Sequence, residues 1–174
     1  MIINYKKCDL SNLETLTAIS KSTFIDAFGS LNNPEEFNSY IEKAFSKKQI
    51  EKELLNPNST FYFAYAEEQI IGYFKLNVKD AQNEIYEQES IELERIYILS
   101  QFQNKGLGKL FLNEIIAQAK THNASFLWLG VWSKNKNAIR FYERLCFKQF
   151  DTHAFYLGSE RQLDSLMKLD LSNF

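Results

Sequence analysis

Apolar and polar positions along this chain switch repeatedly between a two-residue and a helical period. Residues 2–6 read as a first strand. From Leu10 to Phe28, apolar residues recur at Leu13, Leu16, Ile19, Ala27 and Phe28, broadly the helical period, with Asp9 or Ser11 available as cap. Asn33-Pro34-Glu35-Glu36 predicts a helix start, with Asn33 as N-cap, Pro34 in the first helical position and Glu36 at the capping-box place. That helix should run to about Ala44, and a further turn or two should end before Asn56-Pro57. Thr60–Ala66 and Ile70–Val78 flank a polar three-residue turn, Glu67–Gln69, as in a hairpin. Residues 90–98 predict the next strand. The helix that follows should bury Leu107, Leu110, Phe111, Ile115 and Ala119 on one stripe. Ser125–Val131 reads as a strand, residues 137–145 as a helix, and Phe147–Tyr156 with Leu163–Leu171 as a closing antiparallel pair. Strands followed by crossover helices in the second half, with hairpins before and after, predict an α/β (α+β) fold with a mixed sheet covered by helices.

Bulk properties narrow the class. A chain of 174 residues fits one domain, 1–174, with a substantial core. No apolar run approaches the roughly 20 residues that span a bilayer, and the N-terminus lacks the basic-then-apolar order of a signal peptide. Cys8 and Cys146 make no disulfide framework and have no metal-ligand neighbours at useful spacing, so no metal is expected and a reducing cytoplasm is the simplest compartment. A net charge of −2 gives no footprint for nucleic acid. The number of aromatics would allow exposed ones, and either a monomer or a homodimer.

The most informative segment is Leu93–Ile98, followed by Gln103-Asn104-Lys105-Gly106-Leu107-Gly108 and a long amphipathic helix. A strand, a glycine loop and a helix N-terminus make an anion site. The first helical N–H groups have no partners inside the helix, and the helix dipole makes that end positive. Gly106 and Gly108 would remove Cβ atoms where a pyrophosphate approaches the main chain. A dinucleotide fingerprint needs a small residue where Phe111 stands. A Walker loop needs glycine at Gln103 and Ser or Thr at Leu110.

The pattern Gln-x-x-Gly-x-Gly after a strand resembles the acetyl-CoA pyrophosphate loop of the GCN5-related N-acetyltransferases, the GNAT family. A second segment strengthens the resemblance. Trp128-Leu-Gly-Val-Trp132 leads through Asn135 and Asn137 to Ala138-Ile-Arg-Phe-Tyr142 and on to Cys146-Phe147, similar to the family's Asn-x-x-Ala-x-x-Phe-Tyr and terminal Gly-Phe. Cys146 stands where the family has glycine. A left-handed helix end there would carry a Cβ penalty, which gives Cys146 a structural rather than a nucleophilic place.

The resemblance implies a mixed, mostly antiparallel sheet of about seven strands flanked by helices. It also implies acetyl-CoA as cosubstrate. Gln103, Asn104, Lys105, Gly106, Leu107, Gly108 and Lys109 would hold the pyrophosphate. Free amides on the strand through Ile96, Tyr97 and Ile98 would hold the pantetheine arm and acetyl oxygen, and the region of Asn135 and Asn137 would contact the arm. Tyr142 would protonate the departing thiolate, although period alone reads it as a core aromatic. An ammonium must lose a proton before attack. Glu94 or Glu92 would serve as base, with Glu94 slightly preferred; the competing reading is a solvated face or a pair with Arg95. His122 and His153 look isolated, which favours direct transfer in a ternary complex over an acyl-enzyme.

Between Asp80 and Glu94 stand six acids (Asp80, Glu84, Glu87, Glu89, Glu92, Glu94) and no Lys or Arg. Near an acceptor channel they would attract a cationic amine. Phe61-Tyr-Phe, Ile71-Gly-Tyr-Phe-Lys-Leu-Asn77, Leu93–Ile98, Trp128–Trp132 and Phe155-Tyr-Leu-Gly158 are similar to the PaiA-type polyamine N-acetyltransferases, which implies spermidine or spermine as acceptor. Another amine (a protein N-terminus, an amino acid or an aminoglycoside) and an acetyl-CoA-binding regulatory module stay open.

Overall fold

The computed structural model describes residues 2–86 and 89–172. One seven-stranded sheet runs through it in the order β1-β2-β3-β4-β5-β7-β6: β1 (Ile3–Lys7), β2 (Ser59–Ala66), β3 (Gln69–Val78), β4 (Ser90–Ile98), β5 (Phe126–Trp132), β6 (Lys148–Leu157) and β7 (Glu160–Asp170). Among the described residues, β4 and β5 are the one parallel pair, and α4 (Leu107–Thr121) supplies the crossover that parallel neighbours require.

Each sheet face buries its own cluster. Leu13 and Leu16 of α1 (Leu13–Phe28), Phe37 and Ile41 of α2 (Pro34–Ala44) and Ile50 of α3 (Lys47–Leu55) pack on Phe61, Phe63 and Tyr73. Phe111, Leu112, Ile115 and Ala119 of α4 and Tyr142 of α5 (Lys136–Arg144) pack with Ile71, Phe74, Leu127 and Leu129. Neighbours Tyr73 and Phe74 thus go to opposite clusters, as pleated strands require.

Local signals explain most of the elements and correct a few. Asn33 caps α2 through the N–H groups of Glu35 and Glu36. The Glu36 carboxylate, expected to close a capping box, instead crosses to the β6–β7 turn and accepts from the Ser159 N–H and hydroxyl, both at 2.7 Å. Asp9 caps a short 3₁₀ turn, Leu10–Asn12, ahead of α1. The β2–β3 turn holds two residues rather than three, because Gln69 already pairs with Ala66. On α4, Leu110 is 44% exposed and Leu112 is buried instead. Leu112 lies three and seven residues before Ile115 and Ala119, so the stripe turns to its side. Cys146 ends α5 with φ 68°, the left-handed turn expected to carry a Cβ penalty. Among the described residues, exposed large apolar side chains are mostly aliphatic, and Tyr156 is the aromatic among them.

Candidate active site

Pairing between β4 and β5 covers Ser90↔Phe126, Ile91↔Leu127 and Glu92↔Trp128, and then stops. Beyond it β4 stays with β3 and β5 stays with β7, so the two strands part. The side of β4 that faces β5 from residue 93 onward is an unpaired edge inside the sheet. A bulge sharpens the parting: Lys75 faces Arg95 and Leu76 faces Leu93, which leaves Glu94 as the extra residue. A cleft of about 560 Å³ opens at this fork. Leu129, Val131, Ala138 and Tyr142 line it from the α5 side, and Phe24, Phe28, Tyr40 and Phe45 from the α1–α2 side, so it passes through the sheet.

The glycine loop lies at the end of β4. Gly106 is the N-cap of α4 at φ 74°, no side chain caps the helix, and no acid stands in its first turn. The N–H groups of Leu107, Gly108 and Lys109 therefore remain for an anion. A Cβ on Gly106 would meet nothing within 4 Å, so this glycine serves its left-handed φ and leaves open ground. Gly108 has a different reason from the one expected. A Cβ there would stand 3.0 Å from the Phe141 ring, so it lets α4 settle on α5. Gln103 donates from Nε2 to the Ile98 carbonyl at 2.9 Å and pins the loop to the strand. Asn104 has φ 60°, and the Lys105 ammonium lies over the Phe102 ring. Leu107 is buried, so only its backbone can face a ligand; Lys109 is exposed.

Ile96 and Tyr97 line the cleft, with Tyr97 stacked on Tyr73 at 5.7 Å. Asn135 also lines it, and its Oδ1 accepts from the Ala138 N–H to cap α5. Asn137 is exposed and is not among the cleft residues. Tyr142 is both a core aromatic and a cleft residue. It packs on Phe141 and Phe147 and is 8% exposed, and burial holds its phenol protonated far above the ordinary range.

The acidic wall divides into three parts. Glu94 contacts Lys75 at 2.5 Å and Arg95 at 3.1 Å, and Glu53 of α3 closes the cluster on the same two cations. Burial raises the Glu94 pKa, but Arg95 and Lys75 outweigh it and pull the group down to about 2. That makes Glu94 a weak base, contrary to its slight preference from the sequence. Glu92 accepts from Asn77 Nδ2 and the Asn83 N–H on Oε2, and from Asn83 Nδ2 on Oε1. Burial, then the charge of Glu94, raises its pKa. The third part includes a residue that looked isolated. His153 stands opposite Asp164 across β6 and β7, its Nδ1 is 3.1 Å from Glu84 Oε1, and its Nε2 is 3.6 Å from Asp164 Oδ2. All four of His153, Asp164, Glu84 and Glu92 line the cleft. Of the other acids in the sequence run, Asp80 accepts from Asn58, Glu89 is exposed, and Glu87 lies outside the described residues.

A forked pair of strands beside an uncapped helix N-terminus matches what the two sequence motifs imply. The model of the acetyltransferase (GNAT) family matches residues 25–147. The chain belongs to the GNAT family. It is similar to an uncharacterized N-acetyltransferase of Lactobacillus delbrueckii subsp. lactis, 40% identical over 157 residues that cover 90% of this chain and 91% of that protein. A spermidine N(1)-acetyltransferase of Thermoplasma acidophilum is 24% identical over 169 residues, 95% of this chain and 100% of that one. The crystal structure of the PaiA N-acetyltransferase from Thermoplasma acidophilum in complex with coenzyme A superposes with a TM-score of 0.77 at 25% identity, covering 98% of this chain and 99% of that chain. The GNAT assignment makes this protein an acetyl-CoA-dependent N-acetyltransferase. Its fork and loop fit that cosubstrate: an open Gly106, free helix N–H groups and an unpaired β4 edge.

Sequence reading missed the His153–Asp164–Glu84 group. One signal was present. The β6–β7 turn is Gly158-Ser159, and counting outward from it sets Leu157 against Glu160 and His153 against Asp164. Reading the strands as ending at Tyr156 and restarting at Leu163 hid that register.

Proposed function

We propose that this GNAT enzyme moves the acetyl group of acetyl-CoA to a primary amine of a small polycation of the spermidine and spermine class, by direct transfer with both substrates bound. The balance of charge on the acceptor side of the cleft carries this reading. Glu84, Glu92 and Asp164 face the cleft, whereas Arg95 is taken up by Glu94 and Glu53. The rings of Phe24, Phe28, Tyr40 and Phe45 stand beside these carboxylates. Aromatic faces attract ammonium groups and also pack the methylenes between them, while surplus carboxylates raise the local concentration of cations. The similarity to a spermidine acetyltransferase over nearly the whole chain supports the same acceptor class.

Acetyl-CoA supplies an acetyl group activated as a thioester. In this reading the helix N-terminus after Gly106, with Gln103, Asn104, Lys105 and Lys109 around it, holds the pyrophosphate. The β4 amides near Ile96 and Ile98 hold the arm and the acetyl oxygen, and Asn135 flanks the arm from α5. The Tyr142 hydroxyl reaches the sulfur. Its raised pKa makes it a hydrogen-bond donor to the thiolate more than a full proton donor. Direct transfer is favoured because Cys8 is buried with its thiol pushed up to about 12, and Cys146 is exposed at the end of α5; neither lines the cleft.

The test is CoA release with a panel of amines. Strong turnover of spermidine or spermine over amino acids, aminoglycosides and peptide N-termini is expected. Equal or better turnover of a monocation would refute the polycation reading.

A further inference from the structure

The two glutamates of β4 are poor candidates for the proton acceptor that amine acetylation needs. Glu94 is locked to Lys75 and Arg95. Both oxygens of Glu92 already accept hydrogen bonds, three in all, from Asn77 and Asn83. Among the described residues, the other titratable side chains on the cleft wall that could take a proton are Glu84, His153, Asp164 and the tyrosines.

We infer that His153 is the general base of the reaction, with Glu84 as its orienting partner. The inference rests on acetyl transfer to an amine but not on which amine. At 3.1 Å, Glu84 Oε1 is a hydrogen-bond acceptor for Nδ1. A neutral imidazole that donates from Nδ1 carries its free lone pair on Nε2. That nitrogen lies beside Gly130 of β5, two residues past the last β4–β5 pair; a Cβ on Gly130 would stand 3.6 Å from it. The missing side chain leaves open space beside Nε2, bordered also by Asp164 Oδ2 and Leu166. Asp164 Oδ2, at 3.6 Å from Nε2, is just beyond hydrogen-bond distance. It is placed to hold the incoming ammonium against the ring. Among the described residues, the charged groups facing His153 are Glu84 from the β3–β4 connection and Asp164 from β7, while β5 presents Gly130. Both carboxylates raise the imidazole above its usual pKa, Asp164 most, against the opposing effect of burial. An imidazole raised in this way is a stronger proton acceptor than a free one.

The proton balance closes. Nε2 takes one proton from the ammonium and becomes imidazolium. The freed amine forms the C–N bond as the C–S bond breaks. The second nitrogen proton goes to the departing sulfur, giving amide and thiol. The imidazolium then releases its proton to solvent through the open cleft.

Two measurements test this. Nitrogen NMR of the protein reads the tautomer of neutral His153 directly, with His122 as the only other histidine to assign. The Nδ1–H form is expected, and an Nε2–H form would overturn the proposal whatever the acceptor proves to be. The second measurement is the pH profile of kcat/KM, with whichever panel amine is turned over fastest, for wild type, His153→Gln, Glu84→Gln and Glu92→Gln. Wild type should rise with pH and level off above the His153 pKa. His153→Gln should lose roughly 100-fold near neutral pH and show no plateau, because only the free amine then reacts, while its affinity for CoA is unchanged. Glu84→Gln should move the rise to lower pH and keep the plateau. A rise to a plateau that is kept in His153→Gln and lost in Glu92→Gln would assign the base to Glu92 and end the proposal.

Discussion

On the proposed function, the two sides of the cleft would recognise their ligands by different means. On the glycine-loop side the working groups are backbone N–H donors of consecutive residues, and the side chains mostly stay clear. On the acceptor side they would be side chains drawn from α1, α2, the β3–β4 connection, β4, β6 and β7. A backbone site is held by the fold itself, so it tolerates changes to neighbouring side chains but not to glycine conformation. A side-chain site depends on buried charges that must balance, so one substitution unsettles it as a whole.

The strongest way to break this contrast is at Lys75. Lys75→Met leaves Glu53 and Glu94 sharing Arg95 in a buried cluster. A stability loss of about 3–5 kcal/mol is expected from the denaturant midpoint. A loss below about 1 kcal/mol would mean that the charges on the acceptor side are not interdependent.

Tyr142→Phe tests the junction of the two sides. It removes one oxygen and keeps the ring packed on Phe141 and Phe147. A fall of about 10²-fold in kcat, with CoA affinity within about twofold, is expected from steady-state and binding measurements. Unchanged kcat would leave Tyr142 with only its core role.

Acid titration offers a third contrast. The Glu94 pKa is lowered in the folded protein to about 2, against about 4.3 unfolded. Its contribution is therefore present above pH of about 4.3 and fades as pH falls toward the folded value. Thermal melts of wild type and Glu94→Gln should converge over that window. Parallel curves would show that Glu94 adds nothing to acid sensitivity.

The smallest expected effect separates the two glycines. Gly106→Ala meets open space at a left-handed φ, so it should cost about 1 kcal/mol and raise the KM for acetyl-CoA several-fold. Gly108→Ala presses on Phe141 and should lower Tm with little direct effect on acetyl-CoA. Equal effects of both on KM would erase the distinction between a ligand glycine and a packing glycine.

Legibility follows the same division. The anion loop, the fork-forming strands and Tyr142 occupy short contiguous segments, and their residue types carry their own reasons: positive φ, missing Cβ, helix period. The strand at 90–98 was legible to the residue. The acceptor wall was not, because His153 and Asp164 meet only through strand register and Glu84 reaches them from a distant connection. The bulge at Glu94 was invisible for a related reason: alternation in a sequence does not reveal where a partner strand skips a residue. Leu110 failed because the stripe of a helix has two flanks, and only the packed sheet selects one of them.

The sheet order has a consequence for how the enzyme comes into being on the ribosome. β7 is the last strand in the chain, yet it sits between β5 and β6. Until it emerges, β6 has no neighbour, His153 has no Asp164 opposite, and Glu36 waits for Ser159, 123 residues further on. The glycine loop ahead of α4 is synthesised well before β7 sets Asp164 opposite His153. Vectorial synthesis therefore makes the glycine loop early and leaves the wall that carries His153 and Asp164 to close with the last strand.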